Sequence, residues 1–211
     1  MVLFSGFSTS FAFIINDVFD AELDRVAGIT RNPVYTGEVS FRRSIAFALL
    51  FLMASLTTLP FLCYENRFLG QILIFLYATY SWLIRAKARH VLDVIYHGLS
   101  LAILATIGYL EYGGFDGTCL LFGFLVFFLS ATSQLLQEVR DYETDRKMLK
   151  TTVIQLGKKA SLILCPLPVI CPSDLLCLTF LRGLPPWNPS LVALGLSYRC
   201  SYHPSHTQRR V

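Results

Sequence analysis

Long apolar runs separated by short polar stretches organise this chain. Runs of roughly 17 to 25 residues, the length of a helix that crosses a bilayer, recur at Val2–Phe19, Ile45–Cys63, Phe68–Ile84, Val91–Leu110 and Leu120–Val139. A further run, Ser161–Leu181, is interrupted by prolines, which helices tolerate poorly. The pattern predicts an all-α, polytopic transmembrane helical bundle of about five to six spans, because a chain in hydrocarbon must satisfy its backbone polar groups within each helix.

Composition agrees. The chain has 211 residues, of which 54% are hydrophobic and 15% charged, with a mean hydropathy of +0.55. A soluble domain carries about 25% charged residues, so the apolar excess is expected to face lipid. The first run has no basic segment before it and ends in acids, which separates it from a secretory signal.

The net charge of +4 does not mark a nucleic-acid protein, because the cations are sorted by loop and not gathered with aromatics into a patch. The first loop holds Arg25, Arg31, Arg42 and Arg43, and the second only Arg67. The third holds Arg85, Lys87 and Arg89, whereas the fourth, Glu111 to Gly117, has no Lys or Arg. The fifth holds Arg140, Arg146, Lys147, Lys150, Lys158 and Lys159. By the positive-inside rule the odd loops are expected on the cytoplasmic side, alternating as successive spans require.

Two acidic clusters emerge on that side. Asp17, Asp20 and Asp24 end the first apolar run. At 100° per residue they fall at about 0°, 300° and 340°, one face of a helix. Glu138, Asp141 and Asp145 repeat the same spacing at the end of the fifth run. Carboxylates so close repel one another unless a cation neutralises them, and hard oxygen donors suit Mg²⁺ shared with substrate phosphates. An amphiphilic substrate with an anionic head could rest its head there and run its tail between the helices.

These residues resemble the UbiA-type intramembrane prenyltransferase superfamily. Asn16, Asp17, Asp20 and Asp24 match its NDxxDxxxD motif, and Arg31 to Ser40 is similar to the turn that follows it. Asp141-Tyr142-Glu143-Thr144-Asp145 resembles the second motif, DxxxD, with Lys150-Thr151-Thr152 and Leu156-Gly157 like its usual sequel. Glu138 stands where many members carry an additional Asp. Tyr80, Arg85 and Lys87 resemble the tyrosine-led basic loop between the motifs.

The resemblance implies Mg²⁺-dependent transfer of a prenyl group from an isoprenyl diphosphate to an acceptor that the sequence does not identify, inside a lipid bilayer and without nucleic acid. It implies one Mg²⁺ on Asp17, Asp20 and Asp24, and a second on Asp141 and Asp145 with help from Glu138. Asn16 would orient a ligand or contact the head group, and Tyr80, Arg85, Lys87, Arg140 and Lys147 would bind the substrate. Phe13, Phe19, Tyr80, Trp82 and Tyr142 are the aromatic candidates for shielding an allylic cation.

Residues 1–160 are expected to form the UbiA-like domain, a truncated version of a fold with about nine helices. Residues 161–211 are expected to form a divergent Pro- and Cys-rich tail, out of the ancestral reading frame or otherwise truncated. His203 and His206 in it have no partner spacing for a metal. Asp93 and His97 read first as a helix-start acid and its neighbour, and second as a polar pair in the site.

Three other functions compete. A CDP-alcohol phosphotransferase needs Asp-Gly and Ala-Arg within its acidic motif, which Asp20-Ala21-Glu22-Leu23 does not supply. A transporter or cation-binding membrane protein calls for ionisable residues or breaks near mid-span, and the interiors of the second to fifth runs have almost none. A catalytically inactive fragment is the third.

Overall fold

The computed structural model describes residues 1–164, except Ile29, Lys147 and Met148 and the side chains of Ala27, Leu83, Thr144, Asp145 and Leu164. The expected tail therefore lies almost entirely outside the described residues. The elements are α1 (Val2–Ala27), α2 (Phe41–Thr58), α3 (Tyr64–Ala78), α4 (Leu92–Leu110), α5 (Gly117–Asp145), α6 (Thr152–Leu156) and α7 (Lys158–Leu164). No strand occurs among the described residues, and the one ladder contact is an isolated parallel bridge between Arg89 and Lys150.

Helix α1 shows how the pattern becomes structure. Phe4, Phe11, Ile15 and Val18 repeat at helical intervals and are buried, with Ser8 on the same stripe. Val2, Leu3, Phe13 and Val26 point outward, and α2 likewise exposes Phe47, Leu49, Leu50 and Met53. Large apolar side chains on the outer face of a long helix need an apolar medium. Gly28 closes α1 with φ 71°, donating its N–H to Arg25 O at 3.3 Å, the left-handed cap that favours glycine.

Among the described residues four helical segments are long and apolar enough to cross a membrane: Val2–Val26, Phe41–Phe61, Leu92–Leu110 and Gly117–Glu143. The third expected span differs. α3 keeps α-geometry for 15 residues and then passes into a π-helical turn over Thr79–Leu83. Thr79 is the physical cause at the junction: its hydroxyl donates to Phe75 O at 2.7 Å and Leu76 O at 3.2 Å, a back-bond that bends helices.

The helices pack in the order α2, α1, α3, α4, α5. One core joins Phe4, Leu59, Leu73, Leu76, Ile103 and Ile107 across α1, α3 and α4. Gly70 permits the approach, since a Cβ there would lie 2.5 Å from Leu59 and 2.9 Å from Phe4. Away from the acids, buried Asn66 ties the second and fourth loops by donating to Glu111 Oε1 at 2.7 Å and Ile107 O at 3.0 Å. At the opposite end the first, third and fifth loops meet, and there the acids lie.

Candidate active site

The acids of α1 are organised by two neighbours. Asn32, only 2% exposed, donates from its amide to Asp24 Oδ2 at 2.7 Å and to the carbonyl of Asp17 at 2.9 Å. Its own oxygen accepts from Val34 N at 2.9 Å and Tyr35 N at 3.3 Å. The turn after α1 thereby folds back onto the acidic face. An Asx turn rigidifies the loop locally, and the same side chain fixes the carboxylate of Asp24.

The second neighbour is the segment between α3 and α4. Lys87, with its side chain 11% exposed, makes an ionic contact with Asp20 and reaches Asn16 Oδ1 at 3.5 Å. Ser81 donates to that same Asn16 oxygen at 2.7 Å. Asn16, Asp20, Ser81 and Lys87 thus form one polar knot where α1 meets the π-helical turn. A charge pair so shielded from water is far stronger than an exposed one. Arg85 opens this loop in the left-handed region at φ 50° and is exposed.

The acids of α5 are placed differently. Glu138 is 5% exposed and accepts from Gln134 Nε2 at 3.0 Å and Val153 N at 3.1 Å. Its carboxylate caps α6. Asp141 faces outward and takes both arms of Arg140, at 2.9 and 3.0 Å. Asp145 ends α5, but its side chain lies outside the described residues, as does Lys147 altogether.

The aromatic candidates also separate. Phe13 faces outward, Phe19 stacks on Trp82 with centroids 6.3 Å apart, and Tyr80 lies 6.3 Å from Tyr96. Tyr142 is covered by the Lys158 ammonium at 4.7 Å. Phe19 adjoins Asp20 in α1 and Trp82 adjoins Ser81 in the π-helical turn, whereas Tyr80 lies near the carboxyl groups of Asp93 and Glu138. A cavity of about 590 Å³ lined by Tyr64, Arg67, Phe68, Leu110 and Phe115 lies at the other end of the bundle, away from the acids.

Among the described residues no three His, Cys, Asp or Glu side chains converge closely enough to hold one ion. The donor set still fits Mg²⁺ by its chemistry, being carboxylate and amide oxygens with no thiol or imidazole. A positive charge already occupies the acidic face: the Lys87 ammonium sits between Asp20 and Asn16, where a cation would relieve the repulsion among the acids.

Sequence reasoning gave no role to Asn32, Ser81 or Thr152. Asp93 is the helix-start acid that the sequence suggests, in the first turn of α4, and it is also fully buried and bonded to Thr152, 59 residues away. Position in the sequence signals none of these long-range partners, although Asn32 and Thr152 fall within segments that resemble the family.

A model of the UbiA prenyltransferase family matches residues 1–210. The chain is similar to solved structures of a UbiA homolog from Archaeoglobus fulgidus. The form bound to GPP and Mg²⁺ has 27% identity and a TM-score of 0.78 over 95% of this chain and 72% of that one. The form bound to DMAPP and Mg²⁺ has 27% identity and a TM-score of 0.77 over the same shares. A Cd²⁺-bound form has 26% identity, again 95% and 72% coverage, and a TM-score of 0.74. No curated protein matches.

Proposed function

Because the chain belongs to the UbiA prenyltransferase family, a membrane-embedded family, we propose that it moves a prenyl group from an isoprenyl diphosphate to an aromatic or lipid acceptor within the bilayer. The observation that carries this reading is the meeting of the α1 acids with Lys87 of the α3–α4 loop. A diphosphate head needs both metal-holding carboxylates and a cation of the protein's own. The solved homolog's complexes with prenyl diphosphates and Mg²⁺ support it.

In this reading Asp17, Asp20 and Asp24 would hold one Mg²⁺ and Asp141 and Asp145 a second, beside Glu138, whose carboxylate is taken up in capping α6. When bound, the metal offsets the charge of the departing diphosphate. The C1–O bond of the allylic substrate breaks and its electron pair leaves on the diphosphate oxygen. The acceptor then bonds to C1 and releases a proton.

Lys87 exchanges Asp20 for the diphosphate and stabilises the charge that grows on it. Arg85, exposed at the loop start, with Arg140 and Lys147, adds positive charge around the head, and Tyr80 borders it. Asn16, held by Ser81, orients the head group, and Asn32 keeps Asp24 aimed. Phe19, Trp82 and Tyr80 offer faces to the allylic cation. The motifs lie on the cytoplasmic side, in keeping with the sorting of Lys and Arg among the loops.

Release of diphosphate from labelled geranylgeranyl diphosphate by membranes containing the full chain tests the reading. Release that needs Mg²⁺ and falls by about a hundredfold or more in Asp20→Ala and Asp141→Ala is expected. Release indistinguishable from empty membranes would favour an inactive fragment. Mg²⁺ binding without any release would favour a cation-binding membrane protein.

A further inference from the structure

One bonding system runs beside Glu138 and apart from the α1 acids. Asp93, the second residue of α4, is fully buried. Its Oδ2 accepts from Thr152 N at 2.7 Å, and its Oδ1 accepts from Thr152 Oγ1 at 2.5 Å and from Val94 N at 2.7 Å. Thr152 Oγ1 in turn accepts from Val91 N at 2.6 Å. The chain of bonds therefore runs from a buried carboxylate, through one hydroxyl, to the backbone of the loop that carries Lys87.

That backbone is unusual. Val91 has φ 68° and Arg85 has φ 50°, and a β-branched residue at positive φ persists only where its surroundings hold it there. The two residues bracket the segment that contains Lys87. The Thr152 hydroxyl secures the second of them, and the parallel bridge from Arg89 to Lys150 binds the segment to the same stretch of chain. Asp93 and Thr152 bond to each other and to backbone N–H groups, and Asp93 also meets the Glu138 carboxyl of α5; none of these bonds reaches the acidic face of α1.

We propose that Asp93 and Thr152 are positioning residues, which fix the backbone at Val91 and thereby set where the Lys87 ammonium meets the diphosphate. The inference rests on the prenyl diphosphate reading of the same site. It explains why a carboxylate is buried 59 residues from its partner: three donors converge on its two oxygens, and an amide would present N–H groups to some of them.

The test is equilibrium binding of a thiolodiphosphate analogue of geranylgeranyl diphosphate, which binds without transfer, to the full chain in lipid nanodiscs with Mg²⁺. Thr152→Val, which keeps the shape and removes the hydroxyl, is expected to weaken binding about tenfold, and Asp93→Asn similarly. Thr152→Ser should bind as the parent does. In a Lys87→Met background, Thr152→Val should cost less than about twofold, because the group it positions is gone.

Equal losses in both backgrounds, or unchanged binding by folded Thr152→Val, would overturn the proposal. Should Asp93→Asn fail to fold, the Thr152 arm decides alone. Parent protein that does not bind the analogue would overturn the prenyl diphosphate reading and this proposal with it, whereas normal parent binding with additive losses would overturn the positioning alone.

Discussion

The two acidic motifs share a spacing and differ in almost everything else. On α1, Asp20 and Asn16 turn toward another element and meet Lys87, and Asp24 is held by Asn32. On α5, Glu138 turns inward to cap α6, and Asp141 turns outward to its own neighbour Arg140. Equal spacing fixes which side chains share a helix face. What faces them is decided by the neighbouring chain, which for α1 is a basic loop and for α5 is the first turn of α6. The α1 end is thus already arranged around a cation, and the α5 end around its own fold.

The contrast can be broken at three points. Asp24→Ala removes an oriented acid of the α1 site, and its kcat/KM is expected to fall by about a hundredfold in the diphosphate-release assay. A fall of less than threefold would mean that the α1 acids are not the centre of the chemistry.

Asn32→Ala should act less strongly and on two readouts. Loss of its bonds from a buried site costs about 1–3 kcal/mol, visible as a lower thermal midpoint. The loosened Asp24 should raise the Mg²⁺ concentration at half-maximal activity several-fold. An unchanged Mg²⁺ requirement would confine Asn32 to the turn.

Glu138→Gln should do least. The amide keeps an oxygen for Val153 N, so the structural cap survives at a cost of about 1 kcal/mol. The Mg²⁺ requirement should stay within about twofold of the parent. A tenfold rise would show Glu138 acting as a metal ligand as well as a cap, and would bring the two motifs closer together in function than their bonding suggests.

Sequence periodicity alone was enough for most of the fold. Hydropathy located α1, α2, α4 and α5, because a bilayer demands long apolar stretches whatever the tertiary contacts. It did not show that α3 yields to a π-helical turn at Thr79, since Tyr80, Trp82 and Leu83 continue the apolar run. The hydroxyl of Thr79 changes the helix without changing the hydropathy. The α1 acids were legible because they lie within two turns of one helix. Asp93 was not, because its partner is distant along the chain and a buried acid at a helix start looks the same in sequence as an exposed one. The inward turn of Glu138 depends on α6, five residues long, which carries too little periodicity to place.

The tie between Val91 and Thr152 spans 61 residues, and it bears on how the protein is made. A ribosome extends the chain from its N-terminus at about 5–20 residues per second, so the loop bearing Lys87 waits about 3–12 s for its fastener. Throughout that interval the first acidic helix can already be in the membrane while Val91 N lacks the Thr152 hydroxyl that it bonds in the finished fold. The loop bearing Lys87 therefore gains this tie late in biosynthesis, from a threonine that emerges only after the fifth helix.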